Sequence, residues 1–527
     1  MRSAMRAAWM AAVAGLGMGG AVAAGAAGAG GQAGQAGQAE AKGVPPAVVL
    51  DGQTGEWAQG QWARADAHFV YLRVSFPEKR GLFGTAERYT LVIDADDSDA
   101  TGASDPLEPG ADLKVEFNPP SEAKAEGQER RGERLRITPL FAGGGTGATG
   151  AAARGDGKVG LAELQVLTVP NHAAAEFEIR LSRAASLGDD LPQAGLLSSG
   201  RARLAWVRTD AASGATIGEV MRAELTLPER REFRAVATLP AKANGAVRLV
   251  AYNVLWSSPT KSEPGPAGFA RIFKALDADV VLLQEWHDRE ADRGKNNAER
   301  EAGVRAWFQT HAGGEWTVVG SEGQGVFVAS RLPVTARGPA RLEAPENASP
   351  WNFPVRLASA VVTTAHGPLA VGSVHLKCCG TYQAPEDVRR TQEAGLISTA
   401  MAELARAAGA AAAPVVIGGD YNLVGDPEVA VRLTAGLDAD GSGLNLAMPL
   451  LLGDAIVHTH GGGTRNGSRS RLDYFAYPDA VWETVQGFVL DSTILDAESL
   501  KAMGLEAQDT AGSDHLPVVV DLRPRGK

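Results

Sequence analysis

The chain has 527 residues, more than one ordinary domain holds, and 44% of them are hydrophobic, which excludes a disordered polymer. Its formal net charge of -11 argues against a broadly basic surface that would draw a phosphodiester polymer by charge alone. Phosphate chemistry stays open, because a bound divalent cation supplies positive charge locally.

At the start of the chain, Arg2 and Arg6 precede an apolar, Ala-rich run from Ala7 to Ala24, and Ala21-Val22-Ala23 suits a signal-peptidase site. Residues 1–23 are therefore expected to be a signal peptide and the protein to be exported, periplasmic or secreted. The run is rich in Gly and poor in Leu, Ile and Phe, so no stable membrane anchor is expected. The Gly/Gln/Ala repeat within residues 24–43 reads as a flexible spacer.

Residues 44–230 predict a β-rich domain. Alternating runs such as Phe69-Val70-Tyr71-Leu72-Arg73-Val74 and Tyr89-Thr90-Leu91-Val92-Ile93 are expected strands, punctuated by Asp/Gly/Pro clusters. The acidic turn that follows carries Asp94, Asp96, Asp97 and Asp99, whose oxygens either wrap a calcium ion or form a solvated hairpin loop. No glutamate stands where an EF-hand needs its closing ligand. Trp57, Trp62 and Tyr71 either stack on a sugar ring or fill a core. Asp51-Gly52…Gly55-Glu56-Trp57, with the strand and acidic turn after it, resembles family-9-like carbohydrate-binding modules. That resemblance implies a sandwich-like domain with glycan contact.

Residues 231–245 read as a linker, and from 246 to 527 strands alternate with helices. Val247 to Tyr252 and Val280-Val281-Leu282-Leu283 are expected buried strands, with Phe269, Ile272, Phe273 and Leu276 marking one helix face between them. Further strands are expected at Gly325–Val328, Ala358–Thr363, Leu369–Val374 and Pro414–Ile417. Val388, Leu396, Ile397, Met401 and Leu404 fit a second amphipathic helix. The two cysteines, Cys378 and Cys379, are neighbours; they either close a strained ring or remain small reduced residues.

Polar residues punctuate the ends of these strands: Asn253, Glu285, His375, the Gly419-Asp420-Tyr421-Asn422 turn, Asp473 and Ser513-Asp514-His515. A fold can bring side chains from such strand ends into one cleft. Glu285 is a hard oxygen donor suited to magnesium, and Asn253 offers an amide to the same ion or to a phosphate. Taken singly, each residue has a plain structural role open to it, such as shaping a turn or pairing with an arginine.

In order, Ala251-Tyr252-Asn253, Leu283-Gln284-Glu285, Ser373-Val374-His375-Leu376, Gly418-Gly419-Asp420-Tyr421-Asn422, Arg471-Leu472-Asp473-Tyr474 and Ser513-Asp514-His515-Leu516-Pro517 resemble the signature blocks of the endonuclease/exonuclease/phosphatase superfamily. The resemblance implies an α/β four-layer α-β-β-α sandwich and a phosphoesterase that uses Mg2+ or Mn2+. It implies metal binding by Asn253, Glu285 and Asp514. It gives Asp420 and Asn422 the handling of water and phosphate, His515 a phosphate contact or a general acid/base role with Asp473 fixing its tautomer, and His375 a contact to phosphate or leaving group. Arg465, Arg469 and Arg471, in a Gly/Ser-rich loop, either grip phosphates or form a solvated loop. Nucleic acid and phospholipid head groups are the expected substrate classes, in that order, and a non-catalytic glycan- or surface-binding protein is the alternative from outside enzymology.

Overall fold

Phe69–Arg80, the longest strand among the described residues, begins with apolar residues on both faces, and each of these faces meets a different core. Val70, Leu72, Val74 and Phe76 join one cluster; Phe69 and Tyr71 join another that is shared with the C-terminal half. The computed structural model describes residues 48–119, 135–140, 164–183, 197, 200–261, 265–287, 292–322, 325–345, 350–409, 412–461 and 469–526. The expected signal peptide and spacer, and Arg465, lie outside the described residues.

Among the described residues, the N-terminal domain is built on two larger antiparallel sheets and a two-stranded one, Ala103–Ser104 with Pro109–Ala111. Of the larger two, one has the order Ala63–Ala65, Phe69–Arg80, Ala174–Ser182, Leu167–Val169; the other runs Met221–Leu227, Gly200–Asp210, Glu87–Asp94, Leu113–Phe117, Leu135–Pro139. The cluster holding Val70 and Leu72 also holds Leu91, Ile93, Leu113, Leu204 and Trp206, so the sheets bury one inner face each against the other. Trp57 and Tyr71 are buried, Trp57 donating its indole N–H to Glu178 at 2.8 Å and Tyr71 its hydroxyl to Asp66 at 2.8 Å. Neither ring is presented to a sugar.

The four-stranded sheet also leans on the C-terminal domain. Arg180 holds Asp454 through two 2.9 Å hydrogen bonds from one guanidinium nitrogen, both side chains under 5% exposed. Isolated bridges pair Leu50 with Ile456 and Leu167 with Arg469. Nor does the segment expected to be a linker run free: Ala235 pairs with Leu495, and the Ala237 N–H donates to Ser499 Oγ at 3.0 Å. Small apolar residues there let the backbone lie against its partner.

The C-terminal domain is built on two mixed sheets. The seven-stranded sheet has the order Thr317–Gly320, Phe327–Ser330, Val280–Gln284, Val247–Asn253, Val518–Pro524, Trp482–Val489, Leu450–Leu451. The six-stranded sheet runs Val334–Arg337, Leu357–Thr364, Gly367–His375, Val415–Asp420, Asp473–Tyr477, Asn445–Leu446. The sheets are tied face to face: Gln284 Nε2 donates to Ser373 Oγ, which donates on to the Leu283 carbonyl, each at 2.9 Å. Gly418 is required at this seam, because a Cβ there would stand 2.5 Å from the Phe475 ring and 2.8 Å from Leu282.

Helices Gly265–Leu276 and Asn297–His311 bury Phe269, Phe273 and Phe308 in the cluster of the seven-stranded sheet. Helix Pro385–Ala407 buries Ile397, Met401 and Leu404 in the cluster of the six-stranded sheet. Val388, expected on that inner face, is 56% exposed. The N-terminal part of this helix instead buries Arg389 against Glu393 at 2.8 Å and Arg390 against Asp387 at 3.1 Å, so polar pairs take the inner face beside Val388.

Candidate active site

Parallel neighbours Val247–Asn253 and Val280–Gln284 end side by side, with Asn253 opposite Gln284 and Glu285 next in the chain. In the facing sheet His375 pairs with Asp420, and Asp420 with Asp473, so three strands deliver one polar residue each at the same level. Gly419 makes this possible: its φ is 133°, and a Cβ would sit 2.3 Å from the Val374 carbonyl.

Asp420 is the hub. Its Oδ2 accepts from Asn253 Nδ2 at 3.2 Å and lies 3.4 Å from His375 Nε2 and 3.8 Å from His515 Nε2. Its Oδ1 accepts the Asn422 backbone N–H at 2.9 Å. Asn253 Nδ2 also reaches Glu285 Oε1 at 3.2 Å, and His375 Nε2 stands 3.9 Å from that oxygen. Asn422 Nδ2 is turned to the Leu376 carbonyl at 3.2 Å. Glu285 and Asn422 both carry left-handed backbone, φ 58° and 48°, a strained state for such residues that tends to persist at functional sites.

The His515 ring is held from behind. Its Nδ1 is 2.8 Å from Asp473 Oδ2, which also accepts Thr459 Oγ1 at 2.7 Å, while Thr459 Oγ1 accepts the Asp473 N–H at 3.0 Å. The Ser513 hydroxyl donates to the Asn253 carbonyl at 2.7 Å and accepts the His515 N–H at 3.1 Å, joining the last block to the first.

Burial sets the electrostatics. It pushes the Asp420 carboxyl up to about 7, with Asp473 and Glu285 adding and His515 opposing. Burial works against charge on His515 too, but the Asp473 and Asp420 carboxylates outweigh it and raise the imidazole to about 10. His375, with no carboxylate bound as closely, is held well below the ordinary imidazole value by burial, helped by Arg356 and His515.

Seven of the expected residues therefore form a connected cluster: Asn253, Glu285, His375, Asp420, Asn422, Asp473 and His515. Asp514 lies at its rim, where it forms a close group with His515 and His460; ligand atoms of the three lie within 4.8 Å of one another. Sequence reading missed His460 and Thr459, although the His458-Thr459-His460 run was visible. His460 Nδ1 is anchored 3.0 Å from Ser470 Oγ, and its Nε2 is 3.9 Å from Asp514 Oδ2.

Arg469 and Arg471 are placed differently from a phosphate grip. Arg471 is 6% exposed, with its guanidinium on the Ala447 carbonyl at 2.6 Å and 4.1 Å from the Tyr474 ring centre, and its N–H on Asn171 of the N-terminal domain. Arg469 is 8% exposed and bridges to Leu167.

In the acidic turn, Arg203 Nε donates to Asp94 at 2.9 Å and stands 3.2 Å from Asp97, with Asp99 on the same guanidinium. Asp94, Asp96 and Asp112 approach one another closely, but Asp97 and Asp99 turn to arginine, and the four-aspartate calcium site gains no support.

Carboxylates, amides and imidazoles gather around a buried aspartate at the mouth of paired sheets, a grouping able to orient a water and move a proton. A model of the Endonuclease/Exonuclease/phosphatase family matches residues 250–515, and the chain belongs to that family. It is a hydrolytic phosphoesterase. No curated protein matches the chain. Among solved structures, the human Nocturnin catalytic domain with bound sulfate anion is 14% identical over 54% of this chain and 97% of that chain, TM-score 0.32. D. rerio TDP2 complexed with single strand DNA product is 15% identical over 53% and 100%, TM-score 0.34. Beta toxin from Staphylococcus aureus is 14% identical over 52% and 99%, TM-score 0.32.

Proposed function

We propose that this chain is an exported, divalent-metal-dependent phosphodiesterase that acts first on nucleic acid. The observation that carries the catalytic reading is Asp420 meeting Asn253, His375 and His515 within 3.2 to 3.8 Å. In this reading the paired sheets with their outer helices form the four-layer α-β-β-α sandwich of the superfamily.

The residues fit a hard divalent cation such as Mg2+ or Mn2+. Glu285 Oε2 and Asp514 Oδ1 are buried with no hydrogen-bond partner, two hard oxygens open to a cation. Glu285, Asn253 and Asp514 would hold the ion, which supplies charge neutralisation at the phosphoryl group and a more acidic water. Asp420, with its carboxyl raised to about 7 and oriented by the Asn422 N–H, accepts the proton of the attacking water. Imidazolium His515, fixed by Asp473, donates from Nε2 to a non-bridging phosphate oxygen. Neutral His375 donates an N–H toward the leaving oxygen.

Trp256 supports nucleic acid as the substrate class. Its ring is 42% exposed, packs edge-on to His287 with centroids 4.9 Å apart, and sits in three successive left-handed residues, Leu255 to Ser257. The Ser257 N–H donates to the Glu285 carbonyl at 2.9 Å, so this aromatic face adjoins the phosphoryl site, where a base would stack.

One substrate panel tests the reading: DNA, RNA, sphingomyelin, inositol phosphates and bis-nitrophenyl phosphate, each with EDTA and Asp420→Asn controls. Metal-dependent cleavage of nucleic acid, with Trp256→Ala raising KM for oligonucleotides but not for bis-nitrophenyl phosphate, is the expected result. Cleavage confined to sphingomyelin would overturn the substrate class, and no cleavage of any ester would overturn the mechanism.

A further inference from the structure

Cys378 and Cys379 have no part in that chemistry, yet they sit three and four residues beyond His375 in a loop pinned on both sides. Upstream, the Leu376 N–H donates to the Asp420 carbonyl at 2.9 Å, and the Leu376 carbonyl accepts Asn422 Nδ2 at 3.2 Å. Downstream, the buried Arg390 guanidinium donates to the Lys377 carbonyl at 2.8 Å and the Cys379 carbonyl at 2.7 Å. The Lys377 N–H is fixed to Glu393 at 2.7 Å, and Cys379 takes left-handed backbone with φ 71°. Held this way, the two Sγ atoms lie 2.9 Å apart, and both residues remain half-buried, within reach of a small reagent.

We propose that Cys378–Cys379 is a redox-modification site, a dithiol that closes reversibly to a vicinal disulfide by exchange with a small-molecule disulfide such as oxidised glutathione. The Cys378 thiolate attacks one sulfur of the reagent, forming a mixed disulfide and releasing one thiolate. The Cys379 thiolate then attacks the Cys378 sulfur of that mixed disulfide and releases the second. Two electrons pass from the cysteine pair to the reagent, two protons leave the cysteine thiols, and the reagent departs as two thiols. The first step is favoured by the hydrogen bond from Cys379, which against the effect of burial, and with Lys377 and Arg356 nearby, brings the Cys378 thiol down to about 5. The second is favoured by the 2.9 Å approach. Strain in the eight-membered ring makes the product easily reduced, the property of a switch and not of a structural staple.

The chain has only these two cysteines, so intact mass reads the state without ambiguity. Full-length protein is equilibrated in glutathione buffers of graded ratio, quenched with acid, alkylated and weighed. The expected result is loss of both alkylatable thiols with a mass loss of two hydrogens, restored by dithiothreitol, while Cys379→Ser stops at a single glutathione adduct. Two alkylatable thiols at every ratio, a stable glutathione adduct on the wild type, or disulfide-linked dimers would each overturn the proposal. Closure pulls on Leu376 and hence on Asn422. A fall in phosphodiester cleavage of about tenfold is expected, since displacement by about 1 Å in an active site can cost more than that. That second readout rests on the functional reading above; the mass change does not, so the two can fail separately.

Discussion

Asp94 and Asp420 are both buried carboxylates at the last residue of a strand, and both are crowded by further acids. Asp94 is met by the Arg203 guanidinium, which also gathers Asp97, Asp99 and Glu108. Asp420 is met by an asparagine amide and two imidazoles. Arginine keeps its charge at every relevant pH, so Asp94 keeps one fixed ionic partner. Imidazoles and amides leave the Asp420 proton free to move, and unpartnered oxygens on Glu285 and Asp514 leave room for a cation. Crowded carboxylates become a fixed joint or a reactive centre according to the bases placed against them.

The comparison breaks most readily through activity. Asp420→Asn should lower kcat by about 10²- to 10⁴-fold, the usual contribution of a general base, with the melting temperature unchanged or higher. Arg203→Ala should leave kcat alone and destabilise the fold by about 2–3 kcal/mol in urea titration, because Asp94 is left buried and unpaired. If Arg203→Ala abolishes cleavage instead, the acidic turn is more than a joint.

Next in size is the pH dependence of stability in EDTA. Asp420 and His515 both have folded values above their ordinary ones, so each stabilises at low pH and loses that contribution as pH rises through its folded value. Asp420 contributes below about pH 4 and loses it through about 7; His515 contributes fully below about 6.5 and loses it toward about 10. Melting temperatures should thus fall by a few degrees across each window, with Asp420→Asn flattening the first and Asp473→Asn the second. A slope untouched by either substitution would place the titrating groups elsewhere. The smallest effect expected is from metal: Mg2+ at ten times its Kd should stabilise the wild type by about 1.4 kcal/mol and Glu285→Gln by much less.

How far the sequence reached depends on the kind of signal. Periodicity found the helix at Phe269 to Leu276 and most of the buried strands, because apolar spacing reports directly on a core face. It passed over Asn297–His311, whose apolar content is thin, although the Asn296 and Glu299 capping box marks its start. It misplaced Val388, because the buried arginine pairs beside it break the apolar stripe. By sequence, Trp57 and Tyr71 are open to a sugar contact or a core role, and Arg471 to a phosphate grip or a solvated loop; all three are buried, and no local pattern reveals that the four-stranded sheet and the C-terminal half press together over them.

By itself the sequence determined which residues can do chemistry and in what order they come, since residue type and spacing to the nearest strand are local properties. Tertiary structure decided which of them share a proton. Asp473 and His515 stand 42 residues apart in the chain, yet their side chains meet at 2.8 Å because two sheets pack with three strand ends level. Distances of that kind are set by register and packing across the whole domain, and no short stretch of sequence carries them.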